Sequence, residues 1–242
     1  MPFTLSHPAL IVPLRRYPRL FSLSALAVGS MIPDFEYFLR MASVSIYSHT
    51  MWGAVWFDLP LGLLVLALFQ NIIREPLSQN LPAAIQRRLP EFSAQGWNRY
   101  FRTHPVIVLF SLLIGTASHL VWDSVTHQTG LVVMMLPVLQ KNVSLYFFEY
   151  PLYRILQHVS TILGAYIIGR IVWRMPVRSV SVRNANASFW GAIGLIAMLI
   201  VAVHFDGFMA GFNYKKFVIS TISAGLFGLF IVSFIRRMRP TA

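Results

Sequence analysis

The sequence predicts an all-α fold, a polytopic membrane helix bundle with about five long spans plus a short N-terminal apolar or re-entrant helix. Three observations predict it. Hydrophobic residues make up 56% of the 242 and charged residues only 12%, about half the charged share of an ordinary soluble domain. Five apolar runs approach the roughly 20 residues that cross a bilayer as a helix. The basic residues, 20 Lys plus Arg against 8 Asp plus Glu for a net charge of +12, sit singly or in small groups beside those runs. They form no basic stripe with interleaved aromatics, which argues against a nucleic-acid partner. The composition also excludes a disordered chain, and the absence of cysteine excludes a disulfide-stapled module.

The elements follow in chain order. Residues 20–32 are apolar but end at Pro33 and Asp34; at about a dozen residues this stretch is short for a span and reads as a re-entrant or half-buried helix. A signal peptide fits poorly, because Ser22 and Ser24 interrupt the apolar core and the arginines 15, 16 and 19 lie far from Met1. The first long run, 51–73, is broken by Asp58 and Pro60. Residues 74–103, rich in Pro, Gln, Asn and Arg, read as a solvated loop with a short amphipathic helix over 83–89. The second run is 105–122. Residues 131–139 are apolar but short and carry Pro137, which suggests an interfacial or re-entrant piece. The third run, 152–173, is followed by a polar basic linker over 174–186, and the last two runs are 187–205 and 217–235. Gly29, Gly53, Gly115 and Gly164 read as sites of close helix packing. The whole chain reads as one integral membrane domain, 1–242, with a core over 1–170 and a linker plus two helices over 171–242.

Charge orients the spans. Arg74, Arg87, Arg88, Arg99, Arg102, Arg174, Arg178, Arg183, Arg236, Arg237 and Arg239 fall on one side if five spans alternate, against Lys141, Arg154, Lys215 and Lys216 on the other. The expectation is a multi-pass protein of the inner (plasma) membrane with a cytoplasmic C-terminus. The bilayer itself is the expected partner.

Ionisable residues in or beside spans are expensive and therefore functional candidates. In Ser118-His119-Leu120-Val121-Trp122-Asp123-Ser124-Val125-Thr126-His127, spacings of four put His119, Asp123 and His127 on one helical face, with His119 and Asp123 about 6 Å apart along the axis. His49 precedes the first long span, Asp34 and Glu36 lie about fifteen residues earlier, and Gln157 and His158 sit near the start of the third. Under the alternating topology all of these reach the same, non-cytoplasmic, face. Mixed His and carboxylate ligands suit zinc, manganese or iron better than calcium, and a divalent metal, zinc first, would neutralise carboxylates at a bilayer edge. The plainer reading of any one of these residues is an interfacial hydrogen-bonding group; convergence is what favours a site. His104, His204 and Asp206 read as ordinary span-end residues, and Asp58 as a residue that pairs with a neighbouring helix.

At these residues the chain resembles a bacterial membrane-protein family of unknown function. The resemblance is carried by Met1-Pro2-Phe3-Thr4-Leu5-Ser6-His7-Pro8, by Gly29-Ser30-Met31-Ile32-Pro33-Asp34-Phe35-Glu36-Tyr37-Phe38, by Ser48-His49-Thr50, by the segment from Ser118 to His127, and by Leu156-Gln157-His158-Val159-Ser160-Thr161. It covers about the first 170 residues. That family is in turn similar to the membrane-bound metal-dependent hydrolases, whose pattern is an early Thr-His, a Pro-Asp-x-Asp, a second His and a His-x-x-x-Asp. The resemblance implies metal ligands at His7, Asp34, His49, His119 and Asp123; His127, Gln157 and His158, placed near the same face, are expected around them. The second acid of Pro-Asp-x-Asp is Glu36 here. The implied activity is hydrolysis at the outer membrane–water boundary, of a lipid or phosphoester, with Glu36 or Asp123 taking a proton from water. The alternatives are a non-enzymatic scaffold or transport component with a structural metal or polar helix junction, and an ion pathway through Asp58, His119 and His158.

Overall fold

The computed structural model describes residues 4–89, 94–145, 148–179, 182, 186–204 and 213–238. Arg183, Asp206 and Arg239 lie outside the described residues. Five helical stretches are long and apolar enough to cross a membrane: Ala54–Gln79, Pro105–Met135, Leu152–Arg174, Ala187–His204 and Tyr214–Met238. The protein is an all-helical membrane protein, with one two-stranded hairpin as its β-structure among the described residues.

The chain divides into two compact units. The first draws on Met1–Asp34, Tyr47–Leu63 and His104–Ile171. Its N-terminal part is a run of short turns: a single 3-10 turn at Thr4–Ser6, α1 (Pro8–Ile11), a 3-10 turn at Val12–Arg16, α2 (Leu23–Gly29) and a 3-10 turn at Ile32–Asp34. With 7 residues, α2 rises about 10 Å, a third of a hydrocarbon core. It is therefore the short, partly buried helix that the apolar stretch 20–32 predicts; it ends at Gly29, ahead of the 3-10 turn that holds Pro33.

The core of this unit is the seam between α2 and α7 (Pro105–Thr126). The buried residues of α7 are Val108, Ser111, Leu112, Gly115, Thr116, His119, Asp123 and Thr126, a stripe with spacings of three and four. Two glycines let the backbones touch. A Cβ on Gly29 would strike the Leu112 carbonyl, and one on Gly115 would strike the Leu26 carbonyl. Hydrogen bonds close the seam: the Ser22 amide donates to Ser111 Oγ at 2.9 Å and the Thr116 hydroxyl donates to the Gly29 carbonyl at 3.3 Å. Gly164, on the helix that begins at Leu152, abuts Ser6 in the same way. Gly53 differs from the packing role expected of it: its neighbour is the Tyr47 carbonyl in a local turn.

The second unit draws on Phe35–Ile46, Leu64–Thr103 and Val172–Ala242. It contains α3 (Phe35–Arg40) and the later part of α4 (Ala54–Gln79), which carries π-helical turns at Ala54–Asp58 and Phe69–Ile73. The polar stretch after residue 73 is more ordered than the loop expected there. Helix α4 continues through it to Gln79, because extending a helix adds a bond for each residue fixed whether or not the side chain is apolar. After α5 (Ala83–Gln86), α6 (Ala94–Thr103) stacks Trp97 on Phe101 one turn away, centroids 5.5 Å apart. Back in the first unit, residues 131–139 form α8 (Leu131–Met135) and the start of a 3-10 turn at Pro137–Gln140, and β1 (Asn142–Leu145) pairs antiparallel with β2 (Phe148–Pro151) before α9 (Leu152–Arg174), whose last residues pass into the second unit. In the second unit, α10 (Ala187–His204) packs on α11 (Tyr214–Met238) through Phe189, Ile193 and Val232.

Candidate metal centre

The buried stripe of α7 ends in ionisable residues. His119 and Asp123 succeed Ser111 and Gly115 at spacings of four, so the helix that packs on α2 aims both side chains into the unit's interior, where they are 0% and 8% exposed. The ring of His119 is fixed by the main chain of the opposite segment. Its Nδ1 lies 2.8 Å from the Ser30 carbonyl; a carbonyl only accepts, so Nδ1 holds a proton, and Nε2 is the ring atom left to act as a ligand once the imidazole is neutral. That Nε2 is 3.4 Å from Asp123 Oδ2 and 3.7 Å from Asp34 Oδ1.

Three further side chains converge there. Asp34 closes the 3-10 turn that follows α2, and the Thr4 hydroxyl donates to its Oδ2 at 2.6 Å, leaving Oδ1 to face the imidazoles. His49 Nδ1 lies 3.0 Å from Ser48 Oγ, while its Nε2 is 3.5 Å from Asp123 Oδ2 and 3.8 Å from Asp34 Oδ1. His7, at the start of α1, stacks on His119 with centroids 3.9 Å apart, and its Nε2 is 3.8 Å from Asp123 Oδ1. One ligand atom from each of His7, His119 and Asp123 lies within 4.8 Å of the others, and the same holds for Asp34, His49 and His119. The two triads share His119.

The spacing has a chemical meaning. Donors held at 2.0–2.1 Å around a tetrahedral zinc are separated by about 3.4 Å. The gaps here, 3.4–3.8 Å, are too wide for good hydrogen bonds and close to that edge length. His7 Nε2, Asp34 Oδ1, His119 Nε2 and Asp123 Oδ1 are buried and have no hydrogen-bond partner among the described residues. Unpartnered polar atoms are costly in a protein interior; a cation held by either triad would satisfy the ones that triad presents. Electrostatics points the same way. Burial, helped by the neighbouring His119, lowers the His7 pKa to about 3, so the imidazole is neutral and can ligate at neutral pH. Burial also raises the Asp34 carboxyl above its ordinary value, against the pull of His119 and the Thr4 hydroxyl; a cation beside it would reverse that shift. The donor set fits a divalent metal.

At the rim, His127 Nδ1 lies 3.4 Å from Asp123 Oδ1, and Gln157 Nε2 is 3.4 Å from His127 Nε2. The cluster therefore gathers His7, Asp34, His49, His119 and Asp123, with His127 and Gln157 beside them. It does not gather His158, which is exposed on α9 and has no polar contact among the described residues. Nor does it gather Glu36. That carboxylate accepts from Arg40 Nε at 2.9 Å, Ser45 Oγ at 3.0 Å and the Ile46 amide at 3.0 Å, closing the loop after α3. Asp58 is fully buried in the first π-helical turn of α4. Sequence reasoning missed Thr4, Ser30 and Ser48 as orienting residues. Ser48 adjoins a suspected ligand and could have been inferred; Ser30 acts through its carbonyl, which any residue would supply.

No curated protein and no solved structure matches the chain. A family described as "Domain of unknown function (DUF4184)" matches residues 1–235, which extends the likeness through both C-terminal helices. The chain belongs to this family of unknown function.

Proposed function

We propose that the protein is a membrane-bound metal-dependent hydrolase acting at the membrane–water boundary, with a phosphoester or lipid ester as substrate. The observation that carries this reading is the convergence of three imidazoles and two carboxylates with ligand-like gaps and unpartnered, buried donor atoms. His7, His49, His119, Asp34 and Asp123 would hold a divalent ion. Such an ion, when bound, supplies Lewis acidity that acidifies water and polarises a phosphoryl or acyl oxygen.

The remaining work falls to this chain's own groups. The Ser30 carbonyl and the Thr4 hydroxyl keep His119 and Asp34 turned inward. Asp123 has one oxygen toward His119 and His49 and the other toward His127. In this reading Asp123 takes the proton of the attacking water and passes it to His127, 3.4 Å away, which delivers it to the departing alcohol. Glu36, the other acid considered for proton transfer, is already engaged by Arg40 and Ser45. The same contacts tie the 4–34 segment to α7, which is what a structural metal site would also do.

Turnover separates the two. With metal-loaded protein in lipid nanodiscs, hydrolysis of a phosphodiester or glycerolipid panel is expected, falling about 100-fold or more in Asp123→Asn with metal removal abolishing it. Metal bound stoichiometrically with no ester cleaved would make the site structural.

A further inference from the structure

His7 presents a second problem that the metal centre does not solve. A ligating histidine almost always donates its other ring N–H to an acceptor. Here Nε2 faces Asp123, yet Nδ1 is also buried and also lacks a hydrogen-bond partner among the described residues. The side chain is 1% exposed, and what little it shows opens into a pocket of about 100 Å³. The walls of that pocket are mostly apolar, with Leu10 from α1, Trp122 from α7, and Leu163, Gly164 and Ile167 from α9; Ser6 and Ser160 add two hydroxyl-bearing residues to the lining.

We infer that this pocket is a lateral lipid subsite, which takes the first methylenes of an acyl chain of a glycerophospholipid and sets its ester oxygen against His7. Three features argue for that occupant. The pocket lies between α7 and α9, two helices long and apolar enough to span a membrane, and α9 is almost unburied by protein. What surrounds such helices is hydrocarbon, so a pocket between them is filled from the bilayer rather than from water. An orphaned ring nitrogen on His7, in a cleft whose remaining walls are mostly aliphatic, calls for an acceptor joined directly to an aliphatic chain. The small volume favours an unbranched acyl chain, with its carbonyl at the chain root, over a branched isoprenoid. The inference rests on the metal-site reading for the role of Nε2, and it gives that reading a substrate: the lipid ester would enter sideways from the membrane and reach the centre at His7.

The test is photo-crosslinking of the full-length protein in phosphatidylglycerol nanodiscs, with metal content measured on the same samples. One probe is a phosphatidylglycerol with a diazirine beside the acyl ester; the other is a diazirine alkane with no oxygen. The ester probe is expected to label residues 163–167 and Leu10 about tenfold more than the alkane does. Ile167→Trp and Leu163→Trp, which fill the cleft, are each expected to remove that enrichment while metal content stays at the wild-type value. A polyprenyl phosphate that displaces the ester probe better than unlabelled phosphatidylglycerol would overturn the assignment. So would equal labelling by the two probes, or enrichment that survives both tryptophans. Wild-type protein that shows the enrichment but no metal would sink the hydrolase reading and leave the lipid subsite standing.

Discussion

A neutral histidine has one proton to place between two ring nitrogens, and at His119 the Ser30 carbonyl decides the matter. The lone pair then points at Asp34 and Asp123. Burial does comparable work at His7. Its unfolded form takes a proton below about 6.5, whereas the folded form stays neutral down to about 3. The unfolded state therefore binds more protons between those values, and stability falls as pH drops through that window. For metal-free protein we expect the melting temperature to fall more steeply from pH 6.5 to pH 5 in wild type than in His7→Gln; equal slopes would contradict the burial argument. Asp34 has a raised pKa and the opposite sign, but it is common to both proteins and cancels in the comparison. The residue scale was unevenly legible. His119, Asp123 and His127 announced themselves by spacing on one predicted helix, and Asp34 and His49 by lying near the same span ends. His7 came only through the family resemblance, because a segment of one-turn helices has no periodicity from which to place it. Glu36 was misleading for a simple reason: a carboxylate two residues from a ligand can be taken up by donors of its own loop, here Arg40, Ser45 and the Ile46 amide.

Among the elements, the α2–α7 seam positions the centre, since Ser30 and His119 sit at its end. The seam depends on glycine at two places. Gly115→Ala would push a methyl group into the Leu26 carbonyl and Ser30 amide, and we expect a loss of roughly 1–3 kcal/mol with weakened metal binding. Gly191→Ala, where nothing lies within 4 Å, is the control and should leave both unchanged. Thermal melts in detergent check the pair, and equal melting temperatures would show that the seam is looser than described. The long helices were readable because hydropathy and length coincide in them. Helix α6 and the β1–β2 pair were not: α6 is polar, and strands of four residues are too short to show a period, so strand pairing decides them. The short helix at 23–29 was readable as short, but not its partner; α7 accepts it through glycines whose contacts no single sequence reveals.

For the whole molecule, the net charge of +12 and the scarcity of acids have separate meanings. We read the basic excess as a topology signal. We propose that residues 74–103, 174–186 and the C-terminal tail face the cytoplasm and that the metal centre faces the other side of the inner membrane. The chain has no cysteine, so single substitutions report cleanly. Arg178→Cys should react with an impermeant maleimide only from the cytoplasmic side, and Lys141→Cys only from outside; the reverse pattern would invert the assignment. The acids number eight, and two of them are spent among three histidines in one buried cluster. That concentration is the central claim, and it predicts a countable property. Metal analysis of purified wild-type protein should find a stoichiometric divalent ion, zinc first, and His119→Ala with Asp123→Ala should carry none while still folding. Wild-type protein that folds and binds no metal would contradict the account.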